Sequence, residues 1–184
     1  MIEISLINKN IYGSIDLESS KSISNRLLII KKLCKTKFEI QNLSKAKDTK
    51  ILNKILDDFE TKKEINCEDA GTALRFAIAF LASKKGSWII SGSKRMHERP
   101  VKHLIDCLVE LGAEINYLEK EGFPPIEIKS KKLKSKKLSL PGNISSQFIS
   151  ALLMVAPTIE NGLTLEITSK VLSKPYITMT LDLM

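Results

Sequence analysis

The sequence predicts an α/β protein assembled from a repeated unit. Segments with apolar residues at helical spacing alternate with short β-rich segments along its 184 residues. The order helix, strand, helix, strand is given twice in full and a third time incompletely, which is internal repetition. A stretch of small polar residues or glycine opens the first helix of each unit, as helix starts require.

Two strands precede the repeats, at 2–7 (Ile2, Ile4, Leu6) and at about 11–17. The first unit has a helix over 20–35, a strand over 38–43, a helix over 48–59 and a strand over 63–67. Its second helix places Ile51, Leu52, Ile55, Leu56 and Phe59 on one face. The second unit opens at Asp69-Ala70-Gly71-Thr72-Ala73-Leu74-Arg75, with a helix running to about Ser83 and a strand over 87–92. Pro100 suits the first turn of the next helix, which runs through Val101, Leu104, Ile105, Leu108 and Leu111 to a stop at Gly112. Strands over 114–118, 125–129 and 136–140 close this unit, with Pro124-Pro125 turning between the first two. The third unit opens at Asn143-Ile144-Ser145-Ser146-Gln147, with a helix over 147–156 and a strand over 163–168. A last helix starts near Lys174-Pro175-Tyr176 and reaches Met184 with neither glycine nor a polar stop. An apolar helix without a stop predicts that the core is unfinished, as in the front part of a longer protein.

Composition narrows the function. Hydrophobic residues make up 43% of the chain, enough for a packed core. No apolar run approaches the length of a membrane span, and the start lacks a signal-peptide layout, so a cytoplasmic location is expected. Cys34, Cys67 and Cys107 are widely spaced without a C-x-x-C, which argues against a metal site or disulfide framework and for buried reduced thiols. There is no Ser-His-Asp layout, no H-E-x-x-H and no G-x-x-x-x-G-K, and no aromatic pair suits base stacking. The net charge of +8 points to an anionic partner, although lysine runs such as 129–137 read as solvated loop or edge strand. The arginines are more telling. There are four, Arg26, Arg75, Arg95 and Arg99, and each falls in a stretch that is unusual for other reasons. Arginine offers a planar fork matched to phosphate or carboxylate.

The helix starts carry Lys21/Ser22/Arg26, then Gly71/Thr72/Arg75, then Ser145/Ser146/Gln147. Taken singly, each is either an ordinary cap or an anion site, since unpaired N–H groups and the helix dipole favour negative charge there. If the units are related by pseudo-symmetry, the three starts converge on one region. Arg95-Met96-His97-Glu98-Arg99-Pro100 leads into a helix and is either a solvated basic loop or a further anion contact. In it His97 reads as an exposed bystander, and His103 as a helix residue. Ser173-Lys174-Pro175-Tyr176 is either a capped helix with a packed tyrosine or a pair of hydroxyls for polar substrate groups. Acidic residues are few in these stretches: Asp69 reads as a cap and Glu98 as a neighbour of Arg99. Carboxylate acid–base chemistry would come from outside the chain.

These stretches resemble, in order, the signatures of the EPSP synthase (3-phosphoshikimate 1-carboxyvinyltransferase) family. The likeness rests on Lys21-Ser22-x-Ser24-Asn25-Arg26, Asp69 to Arg75, Arg95-Met96-x-Glu98-Arg99-Pro100, Ser145-Ser146-Gln147-Phe148 and Ser173-Lys174-Pro175-Tyr176. The sister UDP-N-acetylglucosamine enolpyruvyl transferases share the fold but are not associated with the Ser-Ser-Gln or R-M-x-E-R-P signatures. The resemblance implies repeated βαβαββ units in an inside-out α/β domain (α+β in some schemes). Residues 1–17 would belong to a first domain and 18–184 to most of a second, with units at about 20–67, 69–140 and 143–184, the last truncated. It implies a carboxyvinyl transfer from phosphoenolpyruvate to the 5-hydroxyl of shikimate 3-phosphate, with no metal or organic cofactor and glyphosate as inhibitor. Lys21, Ser22, Arg26, Ser145, Ser146, Gln147 and Ser173 match contacts to shikimate 3-phosphate, with Tyr176 beside them. Lys21, Gly71, Arg99 and Gln147 match the phosphoenolpyruvate side, Arg75 and Arg95 stand behind them, and Lys21 could assist proton transfer. A monomer without nucleic-acid or membrane partners is implied. The chain departs from the family at Glu18-Ser19 for Pro-Gly, Asp69 for Asn, Phe76 for Pro and His97 for Lys. It also departs in length, because the family's acid–base Asp and Glu have no counterpart here. Two other readings stand beside this one: a different enolpyruvyl transferase, and a basic module without chemistry that binds nucleic acid or a phosphorylated metabolite.

Overall fold

The structure, a computed structural model, describes residues 2, 3, 5, 10, 12–129 and 131–184. Its centre is α3 (Gly71–Ala82), in which every residue but Thr72 is buried. Gly-Thr-Ala-Leu-Arg-Phe-Ala-Ile-Ala-Phe-Leu-Ala is apolar nearly all round, and such a helix must be covered on every side. Against it lie α2 (Lys47–Asp58) and α5 (Ser146–Val155), with α1 (Lys21–Leu33), α4 (Lys102–Glu110) and α6 (Lys174–Leu183) completing the helical layer.

The strands form two sheets. β1 (Glu64–Asn66), β2 (Ser87–Ser91), β3 (Glu114–Tyr117) and β4 (Ile126–Lys129) lie in the order β1-β2-β4-β3. β1 and β2 are parallel, and the other pairs are antiparallel. β5 (Lys137–Leu140) and β6 (Thr164–Ile167) form a parallel pair, with Leu138 opposite Leu165. Burial alternates along β2, where Trp88 and Ile90 face inward, and along β5, where Leu138 and Leu140 do. Each sheet therefore covers the helices with one face and meets solvent with the other. Helices inside and sheets outside are the inside-out arrangement expected.

Pairing resolves the phase of the repeat. β1-α3-β2-α4-β3-β4 is a complete βαβαββ series, and β5-α5-β6-α6 opens the next. The last strand expected in each of the first two units, 63–67 and 136–140, instead stands at the head of the following one, while β3 and β4 close the second as expected. The reason is topological: parallel strands need a crossover, and α3 and α5 are the crossovers that β1 and β5 enter.

Other expectations need correction. Residues 38–43 pair with no described strand. Ile40 and Leu43 still pack on the core, so the alternation that mimics a strand marks an extended segment without a ladder. Residues 12–17 form no strand and are exposed, Tyr12, Ile15 and Leu17 included. Most of the strand expected at 2–7, with Ile4 and Leu6, lies outside the described residues. Pro100 falls before α4 rather than in its first turn. Val101, at φ −128° and ψ 0°, is the residue before the helix and donates its N–H to the Gly122 carbonyl at 2.8 Å, and a 3-10 turn at Met96–Glu98 stands before it.

One aromatic group ties the layers together. Phe59 at the end of α2 meets Phe80 of α3 edge-to-face at 5.0 Å, and Trp88 of β2 donates Nε1–H to the Phe59 carbonyl at 2.7 Å. Phe80 is fully buried. Phe80→Ala is expected to cost about 3–5 kcal/mol, because the ring leaves a cavity that its neighbours cannot close. A urea titration measures this, and a midpoint within error of the unsubstituted chain would contradict it.

The cysteines differ from expectation in one respect: Cys67 and Cys107 are buried, but Cys34, just past α1, is exposed. Burial pushes the Cys67 thiol well up and that of Cys107 up to about 11. Thiolate is the reactive form, so iodoacetamide at pH 8 is expected to label Cys34 alone in the folded chain and all three after unfolding. Mass spectrometry of the labelled peptides checks this.

No helix among the described residues is long and apolar enough to cross a membrane. Among the same residues no group of three or more His, Cys, Asp or Glu is placed to hold a metal ion.

Candidate functional site

The first turns of four helices line one cavity of about 330 Å³. Its walls are Lys21, Ser22 and Arg26 of α1, Thr72 of α3, Ser145, Ser146 and Gln147 at the start of α5, and Tyr176 of α6. Local sequence explains each start. Ser20, not Ser22, caps α1, accepting from the Ile23 N–H at 3.3 Å, so Ser22 sits within the first turn. Ser145 caps α5 through the Gln147 N–H at 3.4 Å. Neither first turn contains an acidic residue, so the dipoles and unpaired N–H groups are left for something else.

Arg26 is the cation set deepest in the wall, 2% exposed. Its Nε donates to Thr180 Oγ1 at 2.7 Å, Nη2 to Ser150 Oγ at 2.9 Å and to the Tyr176 carbonyl at 3.3 Å, and Nη1 to the Ser22 carbonyl at 2.9 Å. Burial lowers its pKa below the ordinary value. Lys21 differs: it is half-exposed and 3.4 Å from Asp48 Oδ1.

A second cationic group adjoins the cavity. Gln147 is held at both ends of its amide, accepting from Arg75 Nη1 at 2.7 Å and donating to Thr72 Oγ1 at 3.1 Å. Arg75 is buried and its Nε lacks a partner among the described residues. Desolvation first, then the nearby charge of Arg99, pulls its pKa down to about 10, so it stays cationic at neutral pH. Arg99 lies over Gly71 so closely that a Cβ there would be 1.9 Å from Nη1. A guanidinium stacked on a helix N-terminus is electrostatically unfavourable unless an anion joins it. Among the described residues Lys and His make every ion pair, and no arginine makes one. The arrangement is two adjoining places for negative charge, with Gln147 and Thr72 between them.

The motif residues thus divide. Lys21, Ser22, Arg26, Ser145, Ser146, Gln147 and Tyr176 line the cavity, and Gly71, Arg75 and Arg99 form the adjoining group. Ser173 is the residue before α6, makes no side-chain cap and is not in the cavity wall. Arg95 is exposed and is not in the wall either. His97 is not an exposed bystander. It is half-buried, its Nε2 2.9 Å from Ser91 Oγ and its Nδ1 3.7 Å from Glu119 Oε2, joining the end of β2 to the loop after β3. Thr72 falls in the second of the helix starts without an assigned ligand role, and Ser150 and Thr180 are not among the sequence candidates. The one available signal is a hydroxyl within an apolar helix, which marks an inward polar group but not its partner.

Residues 7–66 and 57–184 match the family described as EPSP synthase (3-phosphoshikimate 1-carboxyvinyltransferase). The chain belongs to the EPSP synthase family. It is 47% identical over 174 residues to a 3-phosphoshikimate 1-carboxyvinyltransferase of Bacteroides fragilis (strain YCH46), covering 95% of this chain and 42% of that protein. With the Colwellia psychrerythraea protein of the same name it shares 41% over 198 residues, covering 95% and 46%. An EPSP synthase structure from Acinetobacter baumannii superimposes with a TM-score of 0.72 at 19% identity, covering 80% of this chain and 38% of that one. The fold is therefore that of the EPSP synthases, and the chain spans under half the length of these relatives.

Proposed function

We propose that this chain carries the acceptor-binding side of a 3-phosphoshikimate 1-carboxyvinyltransferase. The observation that supports it best is the cavity at four helix starts, walled by a buried arginine with no carboxylate partner among the described residues. Lys21, Ser22, Arg26, Ser145, Ser146, Gln147 and Tyr176 bind shikimate 3-phosphate in this reading, and Ser173, the residue before α6, joins them on the family resemblance alone. Arg26, Ser22 and the α5 start neutralise and orient the phosphate. Phosphoenolpyruvate occupies the adjoining group, against Gly71, Arg99 and Gln147, with Lys21 reaching both substrates and Arg75 behind; Arg95, exposed, keeps a secondary role on the family resemblance alone. Two anions repel, and cations and helix starts on both sides hold them in contact.

The 5-hydroxyl gives up its proton to a base as its oxygen attacks C2 of phosphoenolpyruvate, and C3 gains a proton from an acid. The tetrahedral adduct then loses phosphate from C2 and a proton from C3, restoring the double bond in the carboxyvinyl ether. The proton transfers need carboxylates, and the cavity wall has none. They come from residues outside these 184, and the domain assignment is part of the same proposal: 18–184 as most of one domain, 1–17 as a piece of the other.

The 184-residue chain is accordingly expected to bind shikimate 3-phosphate weakly and to leave phosphoenolpyruvate unconsumed. A calorimetric titration and a phosphate-release assay test the two halves. No binding of shikimate 3-phosphate, or phosphate release at an enzyme-like rate, would refute the reading.

A further inference from the structure

We propose that Thr180 and Ser150 are positioning residues that hold the Arg26 guanidinium in its ligand-facing orientation without cancelling its charge. The inference rests on the reading of Arg26 as a contact for the acceptor's phosphate.

A guanidinium has five N–H donors and no acceptor. Four of those on Arg26 are committed: Nε to Thr180 Oγ1, the two on Nη2 to Ser150 Oγ and the Tyr176 carbonyl, and one on Nη1 to the Ser22 carbonyl. One Nη1 hydrogen remains, on a residue that lines the cavity. The hydroxyl protons close the same account. Thr180 Oγ1 lies 2.8 Å from Ser150 Oγ and 2.8 Å from the Tyr176 carbonyl. Ser150 donates to Thr180, Thr180 donates to the Tyr176 carbonyl, and both hydroxyls keep lone pairs for Arg26; this assignment satisfies every member. Ser150 and Thr180 are fully buried and do not line the cavity, so they act through Arg26.

The chemistry of the clamp is informative. A carboxylate at either position would bind the guanidinium more strongly. It would also neutralise it, leaving nothing for a phosphate. Two hydroxyls and two carbonyls fix its plane while its positive charge stays uncompensated. Such a charge in a buried site is a poor stabiliser of a fold, which points to a role in binding. The three side chains come from α1, α5 and α6, so the arginine is aimed only when these helices are packed together.

Thr180→Val keeps the shape and strands Nε, while Thr180→Ser keeps the hydroxyl. Shikimate 3-phosphate affinity is expected to fall about tenfold in Thr180→Val and to stay within about twofold in Thr180→Ser. Without ligand, solvent exchange of the Arg26 Nε–H, followed by NMR, is expected to speed up at least about tenfold in Thr180→Val and not in Thr180→Ser. A purely structural threonine would lower the melting temperature and leave the affinity of the folded chain unchanged. A folded Thr180→Val with unaltered affinity and unaltered exchange overturns the proposal. If the unsubstituted chain binds no shikimate 3-phosphate, the functional reading fails separately, and unaltered exchange alone then overturns the clamp. Should Thr180→Val not fold, Ser150→Ala, which strands a single Nη2 hydrogen, takes its place, read by the same affinity measurement and by exchange of the Arg26 Nη2 hydrogens in place of Nε–H.

Discussion

Arg26→Met is expected to lower the affinity for shikimate 3-phosphate by about 3 kcal/mol, roughly a hundredfold, while leaving the chain as stable as before or more so. The two effects separate because Arg26 is buried, hydrogen-bonded to neutral groups and paired with no carboxylate among the described residues. Replacing a buried charge by an apolar side chain of similar length removes a desolvation cost. The groups left behind satisfy one another, since Thr180 Oγ1 already lies within hydrogen-bond distance of Ser150 Oγ and the Tyr176 carbonyl. Calorimetric titration reads the first effect and thermal unfolding the second. A large loss of stability would mean that Arg26 holds α1, α5 and α6 together rather than serving a ligand. Unchanged affinity would remove it from the site.

Gly71→Ala is expected to act at the other end of the site, raising the phosphoenolpyruvate concentration for half-saturation, in the presence of shikimate 3-phosphate, by about tenfold or more. The added Cβ would stand 1.9 Å from Arg99 Nη1 and 2.6 Å from its Cζ. What it meets is the far end of a long side chain, so the fold accommodates the methyl group by turning Arg99 away. Stability is expected to change by less than about 1 kcal/mol, because alanine is also the better helix former. The effect on the donor and the lack of effect on the acceptor distinguish this variant from Arg26→Met. Equal losses for both substrates would show that the cavity had been distorted as a whole, and would contradict the two-part arrangement.

Much of this molecule is legible from the chain. The periodic apolar residues of α2, α3 and α5 place those helices to within a residue or two of their observed bounds. The small polar and glycine stretches mark where the helices of the site begin, and the rarity of arginine draws attention to Arg26, Arg75 and Arg99. Local pattern misleads where a partner decides. Residues 38–43 alternate as a strand does, yet no described strand lies beside them to form a ladder. β5 follows β4 in sequence but pairs with β6 across a whole crossover helix. Thr180 looks like a tolerated hydroxyl in an apolar helix, and the arginine that explains it is 154 residues away.

The sequence by itself determined the α/β class, the repeat, the helix starts and the cationic residues beside them. These depend on short-range physics: side-chain periodicity, capping and the dipole of one helix. The tertiary structure alone decided that four of those starts share a cavity, that Arg26 is buried without a counter-charge, and that Ser150 and Thr180 aim it. Those facts depend on which helices pack against which. Periodicity shows that a face is apolar, but not what will cover it.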